Sequence, residues 1–191
     1  MAIQDRRERE RAARRRLIIT TARTLAEAEG WDAVTTRRLS TEIEYSQPVL
    51  YKHFSGMEQI ADAVALDGFG ELADVLRAAR SGAGAASDAL TRIALAYLDF
   101  ARDNPAVYDA MFTRATTLRF AAQDTPVQLT EAFAELHHAV GVVADEQDAD
   151  ALTEVFWAAL HGLVTLSRAG RLRPGYDSDR LRLLVGQFTS R

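Results

Sequence analysis

Apolar residues recur at intervals of three and four along this chain, and two-residue alternation never persists beyond a few positions. That spacing lines one face of a helix and gives a strand no face to bury, so the expected fold is all-α. Local signals divide the pattern into nine helices. Leu17, Ile18, Thr21, Ala22 and Leu25 form the face of the first, which Gly30 ends. Thr35 caps a short second helix carrying Leu39 and Ile43. Ser46 caps a third, whose first turn tolerates Pro48 because that position's N–H has no helical partner. Ser55 with Glu58 makes an S-x-x-E capping box before a long fourth helix, with Met57, Ile60, Val64, Leu72 and Leu76 on one side.

The stretch "SGAGAAS" (81–87) reads as a flexible link. A fifth helix follows with Leu90, Ile93, Ala94, Tyr97 and Leu98 in register, and "DNP" (103–105) ends it and starts a sixth. Thr125 and Gln128 form a second capping box, before a helix with Leu129, Ala132, Phe133, Leu136 and Val140. The acidic "DEQDAD" opens an eighth helix at its favourable dipole end; Leu181, Leu184, Val185 and Phe188 stripe a ninth. The expected organisation is a three-helix head over 1–56 and a body of about six helices over 57–191.

Charge follows the same division. Residues 1–56 hold eleven Arg/Lys against eight Asp/Glu; residues 57–191 hold twelve against nineteen. A basic head on an acidic body suits a polyanion at one end, although the same charges also solvate two ordinary surfaces. The head carries "TTRRLSTEI-EY-SQPVLYKHF", two short helices joined by a tight turn, the length and break of a helix-turn-helix over 35–54. Packing Leu39, Ile43 and Leu50 inward leaves Thr36, Arg37, Gln47, Pro48, Tyr51, Lys52 and His53 outward. Arginine pairs with guanine and glutamine with adenine in the major groove, while Pro48 and Val49 offer apolar contact to a thymine methyl. Thr36, Tyr51, Lys52 and His53 suit phosphates, which set register and salt dependence. The capping residues Thr35 and Ser46 complete the candidate DNA-binding set. The arm "DRRERERAARRR" (5–16) fits either a groove-tracking segment or, with Glu8 and Glu10 interleaved, an ordinary solvated helix start.

The segment "TTRRLSTEIEYSQPVLYKHF" with "SGMEQI" resembles the DNA-binding head of the TetR family of bacterial regulators. Its "TTR-x-L" and "QP-x-LY-x-H" pieces are similar to the tetracycline repressor's own head. The resemblance implies a dimeric, all-helical repressor in which Arg37 and Gln47 read bases and Tyr51, Lys52 and His53 chiefly hold the backbone. Two positions depart from the family pattern. Glu44 stands at the inter-helix turn where the family usually has Gly, and a non-Gly residue in a left-handed conformation costs roughly 1–2 kcal/mol. Met57 stands where the family often has Lys.

In the body, "VFWAALHGLVTLSRAGRL" (155–172) is apolar almost all round, with one stripe at Leu152, Phe156, Ala159 and Leu163 and another at Trp157, Leu160, His161 and Val164. A helix apolar on two faces buries one in its own core and one in a partner. The string W-x-x-x-H-G at 157–162 resembles the C-terminal domain of a TetR subgroup named for Trp, His and Gly. That likeness implies a homodimer whose last two helices pair as a four-helix bundle, with Trp157, Leu160, His161, Val164, Leu181, Leu184 and Phe188 at the interface. The body aromatics suit a packed core. The resemblance further implies that Tyr97, Met111, Phe112, Phe133, His137 and Phe156 line a cavity for a small apolar effector, with His137 or Tyr97 as its polar handle.

Other chemistry finds little footing. The chain has no cysteine, which excludes disulfides and thiolate metal sites. The adjacent His137 and His138 point roughly 100° apart on a helix and have no ligand at metal spacing, so neither a metal site nor a cofactor is expected. No P-loop, nucleophile elbow or glycine fingerprint marks an enzyme. No apolar run approaches about eighteen residues and the N-terminus lacks an apolar signal core, so a cytoplasmic protein is expected. The expected function is a ligand-responsive repressor binding a palindromic DNA operator. The other reading, for which Glu44 and Met57 speak, is a helical ligand-binding or scaffold protein whose divergent head no longer binds DNA.

Overall fold

The computed structural model describes residues 2–82, 86–114, 118–120 and 122–189. Among them are nine α-helices and no strand. The chain forms two compact units, Met1–Gly68 with Asn104–Ala122, and Phe69–Asp103 with Gln123–Arg191.

The first unit holds α1 (Ala2–Glu29), α2 (Thr36–Glu42), α3 (Gln47–Tyr51), the start of α4 (Met57–Arg80) and α6 (Pro105–Phe112). Ile18, Ala22, Leu25, Leu39, Leu50, Phe54, Ile60 and Val64 form its buried core. The face of α1 is rotated from the expected one: Ile19 is buried and Leu17 is 42% exposed. Gly30 ends α1 with φ 83°, a backbone that side chains rarely adopt. Thr35 caps α2, its hydroxyl accepting from Arg38 N at 3.1 Å. Ser46 holds the N-cap position of α3 without a side-chain bond. The Ser55–Glu58 box is displaced by a residue, because α4 starts at Met57 and Gln59 Oε1 accepts from Ser55 N at 2.9 Å.

Helix α6 is tied into this unit at its start. Both Glu27 oxygens accept the free N–H groups of Ala106 and Val107 at 3.0 Å, satisfying donors that a helix leaves open. The Trp31 indole donates to Ala106 O at 2.8 Å, and Arg23 donates to the Asn104 amide oxygen at 2.9 Å. Further along, α6 crosses α4 at Gly68, where a Cβ would stand 2.4 Å from Val107 Cγ1. Only glycine allows that approach.

The second unit holds the rest of α4, α5 (Ala86–Asp103), α7 (Val127–Gly141), α8 (Ala149–Arg168) and α9 (Asp177–Thr189). Leu76, Leu90, Ile93, Tyr97, Leu136, Val140, Phe156 and Leu160 build its core. Buried Glu135 on α7 receives Arg77 at 3.0 Å and Arg80 at 2.8 Å from α4, which satisfies both its oxygens. Asp148 caps α8 by accepting from Asp150 N and Ala151 N. The Thr125–Gln128 box does not form as expected: α7 starts at Val127, with Pro126 at its N-cap. Of the link at 81–87, residues 83–85 lie outside the described residues, and α5 begins at Ala86.

Candidate nucleic-acid interface

Two short helices can present a surface only if a few residues anchor them. In α2 and α3 the anchors are Leu39 and Leu50, both buried, with Ile43 at the turn. Glu44 closes that turn in the left-handed conformation, φ 56°, while Tyr45 N reaches back to Ser40 O at 3.0 Å. The geometry a glycine would supply is therefore present, held against the strain of a side chain.

With one anchor, a five-residue α3 leaves its other side chains outward. Gln47 and Pro48 are exposed, Val49 is half-buried and Tyr51 is 54% exposed. Lys52, Thr35 and Ser46 are exposed; Thr36 and His53 are half-buried. The adjacent arginines of α2 differ. Arg38 is committed, at 3.0 Å to Glu29 and 2.9 Å to Glu42. Arg37 is exposed, and among the described residues its guanidinium has no ion-pair partner.

His53 stands where α3 ends. Its imidazole is held below its ordinary pKa by burial first, and then by the cations Arg11, Arg14, Arg15 and Lys52. Its Nδ1 is buried without a hydrogen-bond partner, so Nε2 is the nitrogen left to meet a ligand. A neutral ring that donates from Nε2 keeps a bare Nδ1 inside, which costs less than burying an unpaired N–H.

Helix α1 lies against this surface through residues of the 5–16 arm, whose composition alone does not tell one arginine from another. Arg15 donates to the His53 carbonyl at 3.3 Å and covers the Phe54 ring at 4.1 Å. Residues 4–17 are helical yet exposed. The spacing of Arg11 and Arg15, one turn apart, was the available clue.

In the second unit the expected ligand and interface residues intermix. Tyr97, buried, accepts a hydrogen bond from the Trp157 indole at 3.1 Å, joining a cavity candidate to an interface candidate. Phe156 meets Phe188 edge-on at 5.0 Å. Phe133 is half-buried, and His137 beside it pairs with Asp150 at 3.1 Å at the surface rather than serving as an interior handle. Met111 and Phe112 belong to the first unit, where Met111 lies against Gly68 and Phe112 against Tyr108.

The expected outward stripe of α8 is also corrected. Leu160 is 0% and Val164 6% exposed within the single chain, and Leu181 of α9 is likewise buried. His161, Leu184 and Phe188 are half-buried. The outward face is instead Val155, Ala158, Ala159, Gly162 and Leu166, mostly small residues that do not stand out beside Trp157 and Leu160.

The sequence matches the family model for bacterial regulatory proteins of the tetR family over residues 18–64, and that for the tetracyclin repressor-like C-terminal domain over 90–185. It is 31% identical over 183 residues to the uncharacterized HTH-type transcriptional regulator Rv0681 of Mycobacterium tuberculosis, covering 90% of this chain and 80% of that one. Among solved structures it is similar to a protein of unknown function from Rhodococcus sp. RHA1, with TM-score 0.72, 24% identity and coverage of 91% and 92% of the two chains. It is also similar to RolR in complex with resorcinol, with TM-score 0.65, 15% identity and coverage of 95% and 88%.

Proposed function

The chain belongs to the TetR family of DNA-binding transcriptional regulators, and on that premise we propose that it is a homodimeric repressor in the cytoplasm, released from a palindromic operator by a small apolar effector. The observation that carries the DNA assignment is the outward face of α2 and α3, where Arg37, Gln47, Tyr51 and Lys52 are exposed around buried Leu39, Ile43 and Leu50. Arg37 and Gln47 read bases, with Pro48 and Val49 against a thymine methyl. Thr35, Thr36, Ser46, Tyr51, Lys52 and His53 hold phosphates and the register. Residues 1–56 serve as the DNA-binding head and residues 57–191 bind effector and partner.

Two outward helices support the dimer: the small-residue stripe of α8 invites close approach by a second helix, beside Leu183 of α9 at 59% exposed. Trp157, His161, Leu184 and Phe188, partly exposed, border that face. The effector reading draws on RolR, which is seen with resorcinol, and on the side chain of buried Tyr97, whose hydroxyl accepts from the Trp157 indole. One polar group in an apolar setting orients a small ligand. No described helix is long and apolar enough to cross a membrane.

Selection of bound sequences from a random DNA pool tests the reading. A two-fold site with half-sites about 34–36 Å apart is expected. Arg37→Ala and Gln47→Ala should each cost about 1–3 kcal/mol and relax preference at one position per half-site. A single unrepeated half-site, or unchanged affinity and motif in both variants, would falsify it.

A further inference from the structure

We propose that Arg11 and Arg14 on α1 form, with Lys52, a second phosphate-binding rim that carries the DNA contact past the end of α3 and onto the first helix. This rests on the DNA-binding reading of α3 and extends it to residues that reading does not use.

The argument starts from an anchor. Arg15 fixes α1 against the end of α3 through the His53 carbonyl and the Phe54 ring. Arg11 lies four residues earlier, one turn or about 6 Å along the same side of the helix, and Arg14 is its neighbour. All three act as nearby cations on His53, as does Lys52 from the end of α3, so four positive charges lie in the neighbourhood of that ring. Like charges are gathered there against their mutual repulsion, an arrangement that an anion relieves.

The neighbouring charges are disposed differently. Arg16 turns to Asp67 at 3.0 Å, and Arg6 pairs with Glu10 at 2.8 Å. Arg14 shares Glu10 only at 3.8 Å, and Arg11 has no carboxylate partner among the described residues. Glu8 lies three residues before Arg11 and seven before Arg15, on the same face. It ends the rim after a little more than one turn, so the contact does not run the length of the 5–16 arm. After α3, the start of α4 carries Met57 and Glu58 and no cation. Side-chain charge for the phosphates flanking α3 is therefore concentrated on the α1 side.

The test is fluorescence anisotropy of the full chain on a random-sequence duplex and on the selected operator, across a salt series. Arg11→Gln with Arg14→Gln should flatten log K against log salt by about 0.9 per lost cation, near 1.8 per protomer. The loss should be the same on both duplexes, with helix content by circular dichroism and the selected motif unchanged. Arg6→Gln with Arg9→Gln carries the same change in net charge away from the rim and should leave the slope near the wild-type value. Glu8→Gln should tighten binding to both duplexes. An equal flattening in the Arg6/Arg9 pair would reduce the effect to net charge and overturn the rim. An unchanged slope in the Arg11/Arg14 pair, while Lys52→Ala still flattens it, would overturn the rim and leave the α3 reading standing. If Arg37→Ala and Lys52→Ala also bind like wild type, the α3 reading itself fails and takes the rim with it.

Discussion

At positions 37 and 38 two identical side chains have different tasks. Arg38 bridges Glu29 and Glu42, while Arg37 is exposed with no ion-pair partner among the described residues. Arg38→Ala removes exposed ion pairs, so its effect on stability should stay within about 1 kcal/mol. Its effect on DNA affinity should be small beside that of Arg37→Ala, as paired titrations of the two variants will show. His53 offers a pH test. Burial and its four cationic neighbours hold its folded pKa below the ordinary 6.5, and burial lowers that of His161 as well. Below pH 6.5 the unfolded chain then binds more protons than the folded one. Stability is complete above the unfolded value and is lost as pH falls through the folded one. Melting curves should show Tm falling below about pH 6.5, and His53→Gln and His161→Gln should each flatten that fall. A Tm that rose on acidification would contradict the sign.

Among the elements, α6 shows how a short helix is held by a few specific contacts. Glu27 caps it, Trp31 and Arg23 brace its start, and Gly68 lets it approach α4. Glu27→Ala leaves two N–H groups at the helix start open and should cost about 1–2 kcal/mol. At Gly68 two effects compete. Alanine favours a helix interior by about 1 kcal/mol, but its Cβ would press on Val107, whose β-branched side chain has little rotamer freedom. Overpacking of this kind costs about 1–3 kcal/mol, so the clash should win. Denaturant titration of Gly68→Ala should give a lower midpoint than wild type; a raised midpoint would mean that α6 yields.

For the molecule as a whole, the proposal that the outward face of α8 is the dimer seam can be tested by substitution. Leu160 is buried in its own protomer, so Leu160→Ala should open a cavity and cost about 2–5 kcal/mol while leaving the dimer assembled at low temperature. Leu166, 41% exposed on the small-residue face, makes the converse case. Leu166→Glu should leave protomer helicity intact but give monomers by light scattering. Operator affinity should fall with it, because two weak heads no longer bind as one. A dimer that persists in Leu166→Glu with full operator affinity would move the interface off this face.

The all-helical fold and the helix ends at Gly30, at Thr35 and at the "DNP" break were legible in the sequence, because each depends on local spacing or on one residue's backbone preference. Glu44 was legible too: the turn demands a left-handed residue whatever its side chain, and φ 56° meets that demand. What tertiary structure decided are matters of partner and direction. Spacing shows that α8 is apolar on two sides but not which side its own core takes, since Leu160 and a run of Ala and Gly look equally fit for burial until the neighbouring helices are in place. No local signal tells Arg37 from Arg38, because Glu29, one of the acids that engage Arg38, comes from another helix. Nor does the arm's composition separate Arg11 from Arg9; only the fold, by bringing the end of α3 against one side of α1, makes one arginine part of a charged rim and leaves the other in solvent.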